Sequence, residues 1–355
     1  MKKHNFYAGP AILPPEVLIQ AGEAIKDFAG MGLSILEISH RSKQFEAVMV
    51  ESANLVKELM GLSEDYEVLF LSGGASSQFY MIPMNLLDES GKACYINTGV
   101  WAAGAIKEAK LFGPVEVIAS SESDQFRHIP KDFIVPPDAT YLHITSNNTI
   151  YGSQYHSWPE ISVPLVCDMS SDIFSRQLDF SKFSLIYAGA QKNLGPAGVT
   201  LVIIKKSILN KINRKLPSML NYKSHIDKES MYNTPPVFPI YVTMLTLRWI
   251  KKIGLQEMEK RNEQKASSLY AEIDRNALFE GTVNLQDRSR MNVVFIAKHQ
   301  EHETAFLESC KQAGCVGLNG HRLVGGFRAS LYNALAQESV NVLIDVMKDF
   351  ENKYA

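Results

Sequence analysis

Short apolar runs alternate with amphipathic stretches through the first two-thirds of the chain. Glu67 to Ser72, Ala93 to Asn97, Pro114 to Ala119, Tyr141 to Thr145, Leu165 to Met169, Phe183 to Ala188 and Val199 to Ile204 read as strands. Between several of them apolar residues recur at helical spacing, notably over Gln78 to Leu87 and Val100 to Phe112. That alternation predicts parallel strands joined by crossover helices. Two helices then follow with no strand between them, Phe238 to Ile253 and a charged one from Leu255 to about Asp274. After Arg290 the texture shortens to a strand over Asn292 to Ala297, a helix over Glu301 to Gly314, a strand over Leu323 to Leu331 and a closing helix over Glu338 to Tyr354. The pattern is that of an α/β protein with a large, mainly parallel seven-stranded sheet flanked by helices and a smaller α/β C-terminal domain. The expected division is 16–260 for the large domain and 261–355, with the segment 1–15, for the small one.

Composition narrows the function classes. The 355 residues are enough for a large core, and 46% hydrophobic with 21% charged residues is an ordinary globular balance. Thirty-six Lys+Arg against 38 Asp+Glu leave a formal charge of -2, so no global positive field is available to hold nucleic acid or an anionic membrane. The first residues, MKKHNFYAGPAILPPEV, break at Gly9, Pro10, Pro14 and Pro15 where a signal peptide would run apolar. No uncharged apolar run is long enough to span a bilayer. Cys94, Cys167, Cys310 and Cys315 are scattered without metal-site spacing, and two of them sit in strand-like runs; a reducing cytoplasm and no metal are expected.

Against that background a few residues carry chemistry. In YAGAQKNLGPAG, Lys192 stands between a buried strand and a loop punctuated by Gly195, Pro196 and Gly198. A lysine so placed loses solvation, deprotonates more easily and can attack an aldehyde; the same segment also reads as a surface lysine in a strand-ending loop. FLSGGASSQF leaves a strand through Gly73 and Gly74 and enters a helix at Ala75, Ser76 and Ser77. Exposed amides there suit a phosphate, and they equally suit a plain Gly-rich turn with a Ser cap. Neither GxxxxGK[ST] nor GxGxxG is present.

Asp168 ends an apolar strand, where a carboxylate needs a cationic partner such as a protonated ring nitrogen, unless it caps the next turn. Trp101, at a helix start, can stack on a flat ring or be core, and the Thr149 hydroxyl can reach a ring oxygen or close a turn. What joins these residues is position. Ser76, Trp101, Thr149, Asp168 and Lys192 each follow the C-terminal end of a different predicted strand, the edge where open α/β sheets bind ligands. A phosphate cup, a stacking ring, a hydroxyl, a carboxylate and a lysine together match pyridoxal phosphate.

The sequence also resembles the phosphoserine aminotransferases, in the fold-type I class of pyridoxal-phosphate enzymes, over nearly its whole length. The blocks that carry the resemblance are NFYAGPAILP, SHR at Ser39 to Arg41, GGASSQF, GVWAAGAIKEA, CDMSSDIFSR, IYAGAQKNLGPAG, YNTPPVFPIY and GHRLVGGFRASLYNA. The resemblance implies pyridoxal 5'-phosphate as cofactor, Lys192 as its covalent anchor, and Ala75, Ser76, Trp101, Thr149, Asp168 and Gln191 around it. It further implies a homodimer with shared sites, in which Asn233 and Thr234 reach the cofactor phosphate of the partner subunit. Two departures stand out: Ser76 where some members have Arg, and Ala8 where some have a substrate-touching Ser.

His40, Arg41, His321, Arg322 and Arg328 flank Gly and Ser positions, a poor setting for a solvated charged face. Arg forks and charged imidazoles suit the carboxylate and phosphate of phosphohydroxypyruvate. By resemblance, Arg328 holds the α-carboxylate, and His40, Arg41, His321 and Arg322 meet the distal phosphate or the γ-carboxylate of glutamate. The expected activity is amino transfer from glutamate to 3-phosphohydroxypyruvate in serine biosynthesis. Some members also serve the 4-phosphohydroxythreonine step of vitamin B6 synthesis, and the residues do not choose. Two other readings remain open at this point: another enzyme of the class, of alanine–glyoxylate or cysteine desulfurase type, and a non-catalytic binder of phosphorylated ligands. Cys310 and Cys315, in and just after a helical pattern, sit poorly for a desulfurase.

Overall fold

A computed structural model describes residues 2–354. In chain order it begins with β1 (His4–Asn5), α1 (Pro15–Lys26), α2 (Lys43–Met60), β2 (Tyr66–Leu71), α3 (Gly74–Leu86), β3 (Ala93–Asn97), α4 (Val100–Ala109) and β4 (Val115–Ser120). The centre holds β5 (Tyr141–Thr145), β6 (Leu165–Asp168), β7 (Leu185–Gly189) and β8 (Thr200–Lys205), and then α5 (Tyr222–Ile226), α6 (Val237–Ile253) and α7 (Leu255–Arg275). The last part contains β9 (Phe279–Gly281), β10 (Asn292–Ala297), α8 (His302–Gln312), β11 (Cys315–Val316), β12 (Phe327–Ser330) and α9 (Gln337–Tyr354).

The seven predicted runs form one seven-stranded sheet in the order β2-β8-β7-β6-β5-β3-β4. Pairing is parallel from β4 through β3, β5 and β6 to β7, and β8 alone runs against its neighbours β7 and β2. Both faces are covered, so β3, β5, β6 and β7 are buried at every position, as a doubly covered parallel sheet requires. On one face Phe45 and Val56 of α2 and Leu245 of α6 pack on Leu142, Cys167 and Ile186; on the other Phe79 and Ile82 of α3 meet Tyr95, Tyr141 and Tyr187. A separate core gathers Phe279, Phe295, Phe306, Phe327 and Phe350 around the antiparallel sheet β12-β10-β9, under α7 and α9. Each such ring contributes roughly 1.5–3 kcal/mol by leaving water. β1 pairs in parallel with β11, which ties the N-terminal segment to this second core.

Two expectations need correction. The helix whose apolar periodicity shows only from Gln78, and whose entry is expected at Ala75, starts at Gly74. Gly73 turns the chain at φ 101°, and the small residues Gly74 to Ser77 hide helical periodicity from the hydrophobic pattern. The strand expected over Leu323 to Leu331 is confined to Phe327–Ser330. Ahead of it, Val324 and Gly325 both donate backbone N–H bonds to the His321 carbonyl at 2.9 Å, and Gly325 and Gly326 adopt φ 77° and 56°. An apolar run alone cannot report such a turn.

Candidate active site

Because β2, β3, β5, β6 and β7 point the same way, their carboxyl ends open on one edge of the large sheet. Lys192 lies three residues past the end of β7, in a tight turn that Leu194 and Gly195 close by donating to the Ala190 carbonyl at 3.2 and 2.8 Å. Its Nζ donates to Thr149 Oγ1 at 2.7 Å and stands 5.6 Å from the centre of the Trp101 ring. Burial pushes the amine down to about 8, against the pull of Asp168 and with help from Arg328. About a tenth of Nζ is therefore a free nucleophile at pH 7, far more than for a solvated lysine.

Asp168 closes β6, is nearly fully buried, and accepts the Ser170 backbone N–H at 2.9 Å. Burial raises its pKa, and the charge of Lys192 pulls the other way. Such a carboxylate is costly without a cation at hand.

Elements suited to anions lie at the same sheet edge and on the strand that packs against it. At α3, Gly73 leaves the first-turn amides without a side-chain cap, with Ser76 exposed and Ala75 half-buried beside them. Amides of a helix N-terminus aimed into a cleft bind phosphate. From the second core, β12 carries Arg328, whose Nη1 donates to the Thr149 carbonyl at 3.3 Å while its buried Nε has no partner. His321 and Arg322 lie in the turn before β12, and the His321 imidazole is held down by burial and by the charges of Arg328 and Arg322. Lys192, Thr149, Asp168, Trp101, Arg328, His321 and Arg322 are thus brought together.

Other residues named from the sequence stand apart within this chain. Arg41 is exposed, on a turn its backbone closes by donating to Ser39 Oγ at 3.2 Å, and His40 is half-buried beside it. Asn233 and Thr234 occupy a surface segment where Asn233 Nδ2 donates to the Thr234 carbonyl at 3.0 Å. Gln191, by contrast, adjoins Lys192 and receives the Ala11 backbone N–H on its own carbonyl at 2.9 Å.

Several residues at this edge were not legible from the sequence. Gly9, at φ 146°, brings the N-terminal segment so close that a Cβ there would sit 3.4 Å from Lys192 Cγ. Asn193 Oδ1 accepts the Asn333 backbone N–H at 2.9 Å, which links the lysine turn to the chain beyond Arg328. Tyr187 and His143 lie beneath Asp168, joined at 2.9 Å. Period-two alternation on adjacent strands was the one available signal for this last pair.

The residues present fit pyridoxal phosphate. A lysine with a depressed pKa, a buried carboxylate lacking a full cationic partner, an uncapped helix start and an orphaned guanidinium N–H match its aldehyde, ring nitrogen, phosphate and substrate carboxylate. The family model described as aminotransferase class-V matches residues 3–343, so fold and site define a class V aminotransferase, a pyridoxal-phosphate enzyme. A phosphoserine aminotransferase from Flavobacterium psychrophilum is 60% identical over 355 residues, covering 99% of this chain and all of the relative. The solved phosphoserine aminotransferase from Bacillus circulans subsp. alkalophilus superposes with a TM-score of 0.97 at 45% identity, covering 100% of this chain and 99% of that one. The pyridoxal-phosphate-bound enzyme from Trichomonas vaginalis does so with 0.93 at 34%, over 98% of this chain and 100% of that one. The chain belongs to the phosphoserine aminotransferases.

Proposed function

We propose that this chain reversibly transfers an amino group between L-glutamate and 3-phosphohydroxypyruvate, giving 2-oxoglutarate and O-phospho-L-serine. The observation that carries the catalytic part is the Lys192 amine, held at 2.7 Å by Thr149 beside a tryptophan face and pushed down to about 8. Lys192 would hold pyridoxal phosphate covalently, with Asp168 at the ring nitrogen, Thr149, Gln191 and Trp101 about the ring, and Ala75 and Ser76 at the phosphate. The bound cofactor supplies an electron-withdrawing ring that stabilises negative charge on the substrate's α-carbon.

The chain's own residues do the rest. Arg328 binds the α-carboxylate and so fixes which α-substituent faces Lys192. Once the amino acid has displaced it, Lys192 Nζ takes the proton from the α-carbon, and in the reverse half it returns one there. Thr149 orients Nζ between these transfers. His321 and Arg322, with His40 and Arg41, meet the distal phosphate or γ-carboxylate, so a single pocket serves both substrates.

The reading includes a homodimer in the cytoplasm. Exposed Leu18, Ile19, Leu33 and Leu36 lie on and after α1, and Asn233 and Thr234 find no role within their own chain's site. In the dimer they reach the partner's cofactor phosphate, and Arg41 the partner's substrate. The four cysteines are buried and unpaired, as a reducing compartment allows. No helix among the described residues is long and apolar enough to cross a membrane. The division into 16–260 and 261–355 with 1–15 belongs to the same reading, supported by the separate phenylalanine core and by β1 on β11.

Adding glutamate to the purified yellow protein should shift the cofactor absorbance, and 3-phosphohydroxypyruvate should restore it. Borohydride should bleach and fix the cofactor on Lys192. A Lys192→Ala protein with full turnover would sink the assignment.

A further inference from the structure

Beneath the site lies a buried polar chain that the mechanism above leaves unused. Strand register places Tyr187 of β7 directly opposite Asp168 of β6, and His143 one strand further on, opposite Val166. The Tyr187 side chain therefore crosses β6 next to Asp168, and its hydroxyl lies 2.9 Å from His143 Nε2. Register sets the Tyr187 ring beside the Asp168 side chain, close enough that, on top of burial, the carboxylate pushes the phenol up and the hydroxyl holds the carboxyl down. Tyr95 stacks on the imidazole at 4.9 Å and 25°, and is itself fixed by a 2.8 Å bond between its hydroxyl and that of Tyr141.

We propose that His143 and Tyr187 form a buried relay that positions Asp168 and directs a hydrogen bond at its carboxylate, making both residues positioning residues for the reaction. The inference rests on Asp168 facing the cofactor's ring nitrogen. Its direction follows from the orphaned atom. His143 Nδ1 is buried with no hydrogen-bond partner, and burial keeps the ring neutral against a weaker pull from its own backbone carbonyl. A neutral imidazole carries one N–H. An unpaired buried acceptor is more common, and less costly, than an unpaired buried N–H. The proton therefore sits on Nε2 and is donated to the Tyr187 oxygen. That leaves the tyrosine's own O–H free to donate to Asp168. A carboxylate that must stay ionised while buried gains from such a donor. Besides Tyr187 and the Ser170 amide, the titratable groups facing Asp168 are Lys192, Asp172 and Cys167.

The test uses the full-length holoenzyme. Tyr187→Phe removes one oxygen with little change of shape. It should lower kcat by about tenfold with KM nearly unchanged, the size expected for a lost bond to a charged group. It should also move the acid limb of the pH profile upward by about one unit, because Asp168 then protonates more easily. His143→Leu should do the same, and His143→Gln, which keeps an N–H donor, should recover most of the loss. Nitrogen-15 NMR of the wild-type protein should show His143 protonated on Nε2.

Protonation on Nδ1 would overturn the relay without any variant having to fold. So would a Tyr187→Phe enzyme with wild-type kcat and an unmoved acid limb, provided Asp168→Asn is crippled. If Asp168→Asn retains the wild-type spectrum and turnover, the ring-nitrogen reading fails and takes the relay with it.

Discussion

Two buried lysines show how burial sets the chemistry of one side chain. Lys192 has its amine pushed down to about 8 from the ordinary 10.5. Capture of pyridoxal phosphate by the cofactor-free protein should accelerate as pH rises from 7 to about 9 and then level off. Stopped-flow absorbance measures this; a rate still climbing towards 10.5 would contradict the shift. Lys265, almost wholly buried on α7, donates to the Leu331 and Tyr332 carbonyls, both at 2.8 Å, and burial pushes it down to about 7. Its folded value lies below its unfolded one, so between about 7 and 10.5 the unfolded chain binds more protons and stability rises with pH. Lys265→Met strands two carbonyls and should cost about 2 kcal/mol or more. The deficit should widen above pH 7, by on the order of 1 kcal/mol per unit. Urea titrations at pH 6.5 and 8.5 read both effects, and a deficit that shrinks at the higher pH would refute them.

At the scale of elements, α3 shows why short segments resist reading from pattern. GGASS contains no apolar residue beyond Ala75, so helical periodicity only becomes visible from Gln78, although the helix begins at Gly74. The turn depends on Gly73, which adopts φ 101° and would place a Cβ 2.9 Å from that of Ser77. Gly73→Ala should therefore tilt the first-turn amides at a strain of about 1–2 kcal/mol and weaken cofactor binding by roughly tenfold. Fluorescence titration of the cofactor-free variant measures it, and unchanged affinity would remove α3 from the phosphate site. By contrast β3 and β5 were legible to the residue. Every position in both is buried, so the apolar run and the strand coincide. The segment Leu323 to Gly326 failed for the opposite reason: its apolar residues sit in a turn that two glycines fold, and exposed Leu323 packs into no core cluster.

At the scale of the whole molecule, the shared-site dimer predicts complementation. Lys192→Ala and a double variant at Asn233 and Thr234 should each be nearly inactive, yet mixing and reassembling the subunits should recover about a quarter of wild-type activity, since half the dimers then carry one intact site. No recovery, with hybrids verified by mass spectrometry, would place Asn233 and Thr234 outside the partner's site.

The sequence by itself determined the sheet, its strand ends, the lysine and the anion-binding residue types. Hydrophobic pattern and local turn chemistry act over a few residues, and those features are local. Only the tertiary structure decided which residues meet: Arg328 against Thr149, Gly9 over Lys192, and Tyr187 reaching across β6 to His143. Such encounters depend on strand register and on the packing of distant segments. A run of apolar residues predicts that it will be buried and says nothing about what will lie beside it.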